Sequence, residues 1–224
     1  MSEDRAAAPM PWEGDAQRVD IFLVAAIAVS SIYKLALIPL TPTWVNSHPM
    51  WLEILKGSIS GMVVMGAKAK IGEASLFVAV VAAIPGLMMF NWIFWWAGRR
   101  WGRRAIDFFL GNHPKAEQRA ARLERLVHRF GWIAVVIAWF QPVPNALIYA
   151  AAGWTRMRLW VFVLLDLIGS LLWIAFCVGL GYIIGQSAVD IAKAVGRYAL
   201  YVTIALIVVV FARQYYTASR RRPT

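Results

Sequence analysis

The stretch AWFQPVPNALIYAAAGW, from Ala138 to Trp154, interrupts a long apolar run with two prolines, a glutamine and an asparagine. Pro142 and Pro144 lack the backbone N–H that a continuous helix needs, so the helix is expected to break or kink there. Inside a bilayer, broken backbone is tolerated only where protein buries it or where it lines a wet cavity. Segment 131–153 is therefore predicted to be a re-entrant helix, which enters the membrane and returns to the same side. A kinked helix that crosses the membrane is the alternative.

The composition indicates a membrane protein. Hydrophobic residues make up 60% of the 224 residues, whereas soluble domains usually contain about 45–50%. Several apolar runs approach the roughly 20 residues that cross a bilayer. We expect an all-α polytopic membrane protein, with a single membrane domain over residues 19–212. About four transmembrane helices are predicted, at residues 21–40, 74–98, 159–185 and 200–211.

A second broken segment is predicted at residues 50–67, where an apolar run is too short and too polar for a comfortable span. Its polar and small residues include Glu53, Lys56 and Gly57. In each broken segment a glycine, Gly66 or Gly153, is followed by two basic residues spaced i, i+2. They are Lys68 and Lys70 in the first case, and Arg156 and Arg158 in the second. If the two segments enter from opposite faces, they form an inverted repeat, which in many transporters places the binding site at the midplane between broken helices.

The flanking segments carry most of the charge, which is +11 in total. The polar N-terminus (1–18), the basic linker (99–129) and the basic C-terminal tail (213–224) are expected on the cytoplasmic side of the cell membrane by the positive-inside rule. Within the linker, residues 114–130 have the spacing of an amphipathic surface helix. We attribute the positive charge to its effect on membrane topology and to contacts with anionic lipid headgroups, and not to the binding of nucleic acid.

The sequence contains no signature of a soluble enzyme or of a metal site. One cysteine, Cys177, excludes an intrachain disulfide and a thiolate cluster, and the three histidines do not lie close together. Neither a phosphate-binding glycine loop nor a nucleophile elbow is present. No catalytic residue, metal or cofactor is predicted.

Four ionisable side chains are expected at membrane depth, where such groups are costly and are functional candidates. They are Lys34, Glu53, Lys56 and Asp166. Glu53 can take up and release a proton facing a cavity, while Lys34 or Lys56 holds an anionic group. Alternatively, Glu53 and Lys56 pair with each other, since they lie three residues apart on one helical face.

The third predicted span carries one carboxylate and a row of small residues. Asp166 can cap or pair with Arg158, or it can carry a proton. The small residues, at helical spacing, predict close helix packing rather than ligand contacts. They are Gly169, Ser170, Gly179, Gly181 and Gly185.

Gln141 and Asn145 are the side-chain donors nearest to the break at Pro142 and Pro144. Each offers an amide NH₂ group, while the two prolines leave the tip rich in acceptors and poor in donors. These amides can bind a lipid headgroup, or they can satisfy the backbone of the loop.

Two stretches of the chain resemble the DedA family, also called SNARE-associated Golgi or VTT-domain proteins. They are NWIFWWAGRRWG (91–102) and FGWIAVVIAWFQPVPNALIYAAAGWTRMRLWVFVLLDLIGSLLWIAFCVGLGYIIG (130–185). The resemblance covers roughly residues 35–186, and its best motif is F-x-P at Phe140 and Pro142. It implies two opposed re-entrant helices. It also implies movement of phospholipids or polyprenyl-phosphate carriers across a bilayer, coupled to protons in some bacteria.

The chain departs from the family pattern at three positions. Trp139 and Asn145 stand where the family commonly has arginine, and Asn91 stands where it often has an acidic residue. The resemblance therefore implies that a phosphate site here uses Lys34, Lys56 or Arg156, or else that the ligand is less anionic.

These observations together predict an integral membrane transporter of the DedA type. Its expected partners are membrane lipids, with anionic headgroups at the basic linker. A homo-oligomer is also compatible with the sequence. Two other classes are alternatives: a membrane enzyme acting on lipid phosphates, and an assembly protein that recruits partners through the linker.

Overall fold

The computed structural model describes residues 11–12, 16–110 and 131–194, and every element within them is helical. The predicted amphipathic helix (114–130), the fourth span (200–211) and the C-terminal tail (213–224) lie outside the described residues. The described chain forms two compact units. The first comprises Met1–Leu35 with Ile84–Phe176, and the second comprises Ala36–Ala83 with Cys177–Thr224.

Three helical segments are long and apolar enough to cross a membrane, which agrees with the predicted all-α membrane class. Helix α1 is Arg18–Ala36 and helix α10 is Leu159–Ile184. The third candidate, Leu76–Trp101, consists of helices α5 (Leu76–Met88) and α6 (Asn91–Trp101). The short helix α7 (Arg103–Leu110) follows α6. Many of their apolar side chains are exposed, as expected where lipid rather than water surrounds the protein.

The interruption of the second span lies four residues beyond Pro85, the residue of this span that cannot donate a backbone hydrogen bond. Pro85 sits inside α5, and the turn between α5 and α6 falls at Met89–Phe90. Proline removes only its own N–H from the helix, and its carbonyl still accepts a hydrogen bond from Met89 N at 3.0 Å. The helix therefore continues for one more turn before it breaks.

In the first unit, α1 lies antiparallel to α6. At one end the buried Asp20 carboxylate accepts hydrogen bonds from Arg100 Nε at 3.0 Å and from Trp101 Nε1 at 2.8 Å. At the other end the Tyr33 and Phe90 rings meet edge to face, with centroids 5.4 Å apart. The beginning of α1 and the end of α6 therefore share one end of the unit.

The core of the first unit is a direct backbone contact between α6 and helix α9, which is Asn145–Trp154. Gly98 lies against the backbone of Ala150, and Gly153 lies against the backbone of Trp95. A Cβ atom at either glycine would overlap the facing backbone. Small residues at this crossing allow the two helices to pack more closely than side chains would permit, as in many membrane bundles.

The chain reaches α9 through a short descending arm beside α10. The arm consists of helix α8 (Ile133–Val136) and a 3₁₀ turn (Ala138–Phe140). The Val136 backbone lies against Gly169, about 15 Å along α10 from Leu159 at the usual helical rise. The Phe140 ring lies further along, 6.2 Å from that of Phe176.

Helix α9 then returns beside the same part of α10. Its Tyr149 side chain contacts Phe162 and Asp166, and the chain enters α10 at Leu159 after a short turn. The backbone is extended at Gln141, between the two arms. The predicted interruption of the helix is thus confirmed, and the two arms form a helical hairpin.

The second unit contains the other predicted break. Helices α2 (Leu40–Ser47), α3 (Pro49–Lys56) and α4 (Ile59–Lys70) follow one another with short interruptions. Gly57, between α3 and α4, has a φ of 64°, a left-handed conformation that terminates helices and suits glycine. The polar break in segment 50–67 is therefore also confirmed.

The small residues of α10 serve different purposes. Gly169 lies on the backbone of Val136, and Gly181 lies on the backbone of Val63, as the prediction of close packing requires. A Cβ added at Gly179 would meet nothing within 4 Å, and Gly185 has a φ of 61° at the end of the helix. The packing prediction is therefore wrong for Gly179, and Gly185 acts as a helix terminator.

We expect Gly98→Ala to destabilise the protein, because its methyl group would overlap the Ala150 backbone. The loss should be at least about 1–3 kcal/mol, as for other overpacked sites. Gly179→Ala is the matched control, since open space surrounds that position and its effect should stay within about 1 kcal/mol. Thermal unfolding in detergent measures both, and equal unfolding temperatures for the two variants would contradict the close contact.

Candidate functional site

The predicted site residues fall into both units. Glu53 and Lys56 belong to the second unit. The others belong to the first unit; they are Lys34, Gln141, Asn145, Arg156 and Asp166. Within the first unit they occupy different places, at the end of α1, at the break before α9, after α9 and inside α10.

Glu53 is a wholly buried carboxylate with no hydrogen-bond partner among the described residues. Its exposed fraction is 0%, and neither carboxylate oxygen is paired. Gly61 of α4 faces it, and a Cβ at Gly61 would lie 3.2 Å from Glu53 Cγ. Glu53 lies outside the three candidate spans, and burial raises the pKa of its carboxyl to about 8. The side chain therefore holds a proton at neutral pH.

Lys56 does not pair with Glu53, so that alternative is wrong. Its Nζ donates to Thr41 Oγ1 at 2.7 Å instead, linking the end of α3 to α2. Lys56 is the last residue of α3, and the chain turns at Gly57 directly after it. The lysine therefore reaches toward α2, and no cation pairs with the Glu53 carboxyl among the described residues.

Asp166 is buried and accepts hydrogen bonds at both carboxylate oxygens. Asn91 Nδ2 donates to Oδ2 and Tyr149 OH donates to Oδ1, each at 2.9 Å. The predicted pairing with Arg158 is wrong, because Asp166 faces α6 and α9, while Arg158 lies exposed before α10 begins. Burial, followed by the charge of Asp166, raises the pKa of Tyr149, which keeps its hydroxyl protonated as a donor.

Sequence reasoning identifies Asp166 but misses its two partners. The sequence marks Asn91 only as the replacement of a family acid. The structure gives the physical reason for the amide, since a carboxylate at position 91 would face that of Asp166 and repel it. Tyr149 carries no signal in the sequence, because it lies in an apolar run.

Gln141 and Asn145 lie at the break, and both are half-buried. Asn145 is the first residue of α9, and no side chain caps this helix. The first N–H groups of a helix have no partner within it, and they present partial positive charge. The sequence prediction that the tip is poor in donors therefore needs correction, because the start of α9 supplies backbone donors beside the two amides.

Two tryptophans next to this break also have indole N–H groups without an acceptor in the described chain. The rings of Trp139 and Trp173 stack at 6.3 Å, and neither buried indole N–H has an acceptor among the described residues. Trp139 stands at one of the positions where the resemblance to the family implies arginine. The donors described at the break are therefore neutral.

Arg156 follows α9, at the end of that helix opposite to the break, and Lys34 belongs to α1. Lys34 is exposed near the end of α1, with its Nζ 5.8 Å from the centre of the Phe90 ring. Arg156 lines a cavity of about 620 Å³ where α1 begins and where α6 and α9 end. We call this the basic cavity, after its five arginines. They are Arg99, Arg100, Arg103, Arg104 and Arg156.

The sequence does not reveal the basic cavity as a site, because most of these arginines appear there only as part of a charged linker. Among the described residues that line it, Asp20 is the acidic one. No group of three histidine, cysteine or acidic side chains that could hold a metal ion occurs in the part of the chain that the structure describes.

Comparison with known proteins adds family information to this geometry. The VTT domain matches residues 51–183. Inner membrane protein YabI of Escherichia coli (strain K12) is 27% identical over 165 residues, which cover 74% of this chain and 63% of YabI. Undecaprenyl phosphate transporter A of Staphylococcus aureus (strain NCTC 8325 / PS 47) is 27% identical over 164 residues, covering 70% of this chain and 79% of that protein. No solved structure matches the chain.

The matched region contains all of segment 131–153 and all of segment 50–67 except Met50, and it also contains α5, α6 and α10 up to Ile183. It therefore includes Glu53, Asp166 and the basic residues that follow α6 and α9. Since the VTT domain covers more than half of the sequence, the chain belongs to the VTT-domain family of membrane proteins, the DedA family.

Proposed function

We propose that the protein transports a phosphate-bearing lipid, a phospholipid or a polyprenyl phosphate, between the two leaflets of the membrane. Glu53 couples the movement to protons. The single observation that carries this proposal is the burial of Glu53 without any hydrogen-bond partner in the described chain.

An unpaired buried carboxyl contributes nothing to stability that an apolar residue would not provide better. Removing a polar group from water without a compensating hydrogen bond costs roughly 2–7 kcal/mol, depending on the reference state. The other two buried carboxylates in the part of the chain that the structure describes, Asp20 and Asp166, are satisfied by donors. Glu53 lacks such donors, which favours a functional carboxyl group that binds and releases a proton.

The phosphate specificity is supported by the relative named undecaprenyl phosphate transporter A. In this chain the proposed headgroup site is the break before α9. Its donors are the amides of Gln141 and Asn145 and the uncapped N–H groups at the start of α9. The unpaired indole N–H groups of Trp139 and Trp173 lie beside it. Neutral donors hold an anion about half as strongly as charged ones, so we expect a headgroup that binds and leaves readily.

Each broken segment is proposed to enter the bilayer and return to the same side, and for segment 131–153 the hairpin beside α10 supports this. Lys34 in the first unit and Lys56 in the second stay candidates for holding anionic groups. Asp166 has a donor at each oxygen, which favours a structural role over proton coupling.

Transport is tested with proteoliposomes that hold a fluorescent phospholipid in one leaflet. We expect the wild type to redistribute the lipid without changing it chemically, at a rate that varies with pH around the Glu53 pKa of about 8. Glu53→Gln removes the titrating proton and should slow transport at least roughly tenfold. A new lipid species would instead identify an enzyme, and the absence of both effects would favour the assembly role.

The control for this experiment is Glu73→Gln, because Glu73 is exposed and lies 3.5 Å from Lys68. It should transport at the wild-type rate.

Thermal unfolding gives a second readout. Because the folded state holds the Glu53 proton between pH of about 4.5 and about 8, the free energy of unfolding falls as pH rises through this window. The slope is at most about 1.4 kcal/mol per pH unit, and Glu53→Gln should remove it.

Cysteine labelling tests the re-entrant path. In a Cys177→Ala background, single cysteines at the exposed positions Ser47 and Lys70 should react with a membrane-impermeant reagent from one and the same side. Cysteines at Trp132 and Thr155, which flank the other hairpin, should also share a side. Labelling of either pair from opposite sides would replace the re-entrant path with a full crossing.

Restoring a charge at the break tests the headgroup site. Asn145→Arg should raise the binding of anionic lipid and make it more sensitive to salt, because charge-assisted hydrogen bonds are about twice as strong as neutral ones and are screened by ions. Asn145→Gln keeps a neutral amide and serves as the control. If a folded Asn145→Arg variant binds lipid and responds to salt as the wild type does, the headgroup site lies elsewhere.

A further inference from the structure

The second unit contains a groove whose walls are almost wholly apolar. Its volume is about 560 Å³, which is within the range of pockets that bind small molecules. Residues of α2 and α4 line two of its sides, and the end of α10 with the helical segment 186–194 lines the third. We call it the apolar groove. The proposed headgroup site at the break before α9 belongs to the first unit and does not use this groove.

The apolar groove has a packed floor and an open edge. Val45, Val64 and Ala192 are buried and belong to one hydrophobic cluster. Ile59 and Ile191 also line the groove, and their side chains are 55% and 64% exposed. A hydrocarbon chain lying in the groove would therefore contact tightly packed apolar side chains below it and apolar side chains at the edge. Burial of apolar surface favours such an occupant.

One positive charge lies beside the apolar groove. Lys56, the last residue of α3, donates from Nζ to Thr41 Oγ1 at 2.7 Å, and Thr41 lines the groove. An ammonium group has three N–H donors, and a threonine hydroxyl carries no charge. The hydrogen bond therefore holds the ammonium beside the groove without neutralising it.

The acidic side chains of the second unit do not neutralise Lys56 either. The unit contains three of them, Glu53, Glu73 and Asp190, and all three are described. Glu53 has no hydrogen-bond partner among the described residues. Glu73 and Asp190 are exposed and bond to other side chains. Within the second unit, the ammonium of Lys56 is therefore a cation that no side-chain carboxylate pairs with.

We propose that the apolar groove binds a lipid with one hydrocarbon chain and a phosphate headgroup. The chain lies in the groove, and the phosphate lies at the Lys56 ammonium. The volume favours one chain over two: at about 30 Å³ for a water-sized group in a liquid, 560 Å³ holds about 18 such groups, the size of one long chain. A phosphate suits the lysine because hydrogen bonds between charged partners are about twice as strong as neutral ones.

The inference gives a defined ligand to Lys56, which the proposed function leaves as a candidate for holding an anionic group. It requires neither transport nor proton coupling. Binding to detergent-solubilised protein tests the groove, whereas redistribution of lipid in proteoliposomes tests transport. Binding without transport would refute only the proposed function, and transport without this binding would refute only the present inference.

The headgroup part is tested by native mass spectrometry of the full-length protein in detergent. The probes are lysophosphatidic acid and lysophosphatidylcholine with the same long acyl chain, so that they differ only in the headgroup. The wild type should prefer lysophosphatidic acid. Lys56→Gln should lower the affinity for lysophosphatidic acid about tenfold, the usual effect of losing one charged hydrogen bond, and should leave lysophosphatidylcholine within about twofold.

Lys70→Gln is the matched control for this charge. It removes a lysine from the same unit, and Lys70 is exposed, lies 4.9 Å from the centre of the Tyr182 ring and does not line the groove. Its affinities should stay within about twofold of the wild type. Equal affinity of the wild type for the two lipids, or equal losses for Lys56→Gln and Lys70→Gln, would overturn the assignment of the phosphate to Lys56.

The chain part is tested with one substitution at two positions. Ile191→Trp places a larger side chain at the edge of the groove and should lower the affinity for both lipids about tenfold, the effect of excluding two methylene groups. Ile183→Trp is the control, because Ile183 is 79% exposed and does not line the groove. Equal affinities of these two variants would show that the chain does not lie in the groove.

Folding of the variants is checked by thermal unfolding. The Gln side chain of Lys56→Gln still offers an NH₂ donor to Thr41, so this variant should unfold at nearly the wild-type temperature. Lys56→Arg keeps the charge and should keep the preference for lysophosphatidic acid. If Lys56→Arg loses this preference as fully as Lys56→Gln while both remain folded, the positive charge does not hold the phosphate and the proposal fails.

Discussion

The backbone contact between α6 and α9 is the constraint on which the first unit depends. Gly98 meets Ala150, and Gly153 meets Trp95, with no side chain between them. This crossing fixes the angle at which α9 leaves the break and the place where the arginines emerge. It also positions Tyr149 and Asn91 on either side of the Asp166 carboxylate. Two substitutions of glycine by a larger residue would therefore affect features that share no direct contact with them.

The buried carboxyl groups of the described chain differ in whether they have hydrogen-bond donors. This difference distinguishes the structural carboxylates from the one proposed to have a function. Asp20 ties α1 to α6 through Arg100 and Trp101, and Asp166 ties α10 to α6 and α9. Both are satisfied, so their burial stabilises a particular arrangement of helices. Glu53 has no such donor among the described residues, and Lys56, the cation nearest to it in sequence, is directed to Thr41. Within the described chain, Glu53 is thus the buried acid that no donor satisfies, and the proposed proton coupling rests on this difference.

Features that depend on local chemistry could be predicted from the sequence. The break at Pro142 and Pro144 follows from missing N–H groups, and the long apolar spans follow from hydropathy. Partners of buried polar groups could not be predicted, because they depend on distant segments: Asn91 meets Asp166 across 75 residues. The turn at Met89–Phe90 could not be predicted either, since proline at Pro85 signals a weak point without fixing where the helix ends.

The length of α10 has a consequence for the membrane in which the protein works. Its 26 residues extend about 39 Å at the usual rise, while the hydrocarbon core of a typical bilayer is only about 30 Å thick. The helix must therefore tilt, or its ends must emerge into the headgroup region. Lipids with longer acyl chains would reduce this mismatch, and lipids with shorter chains would increase it. The acyl chain length of the bilayer therefore affects how far this helix must tilt or emerge.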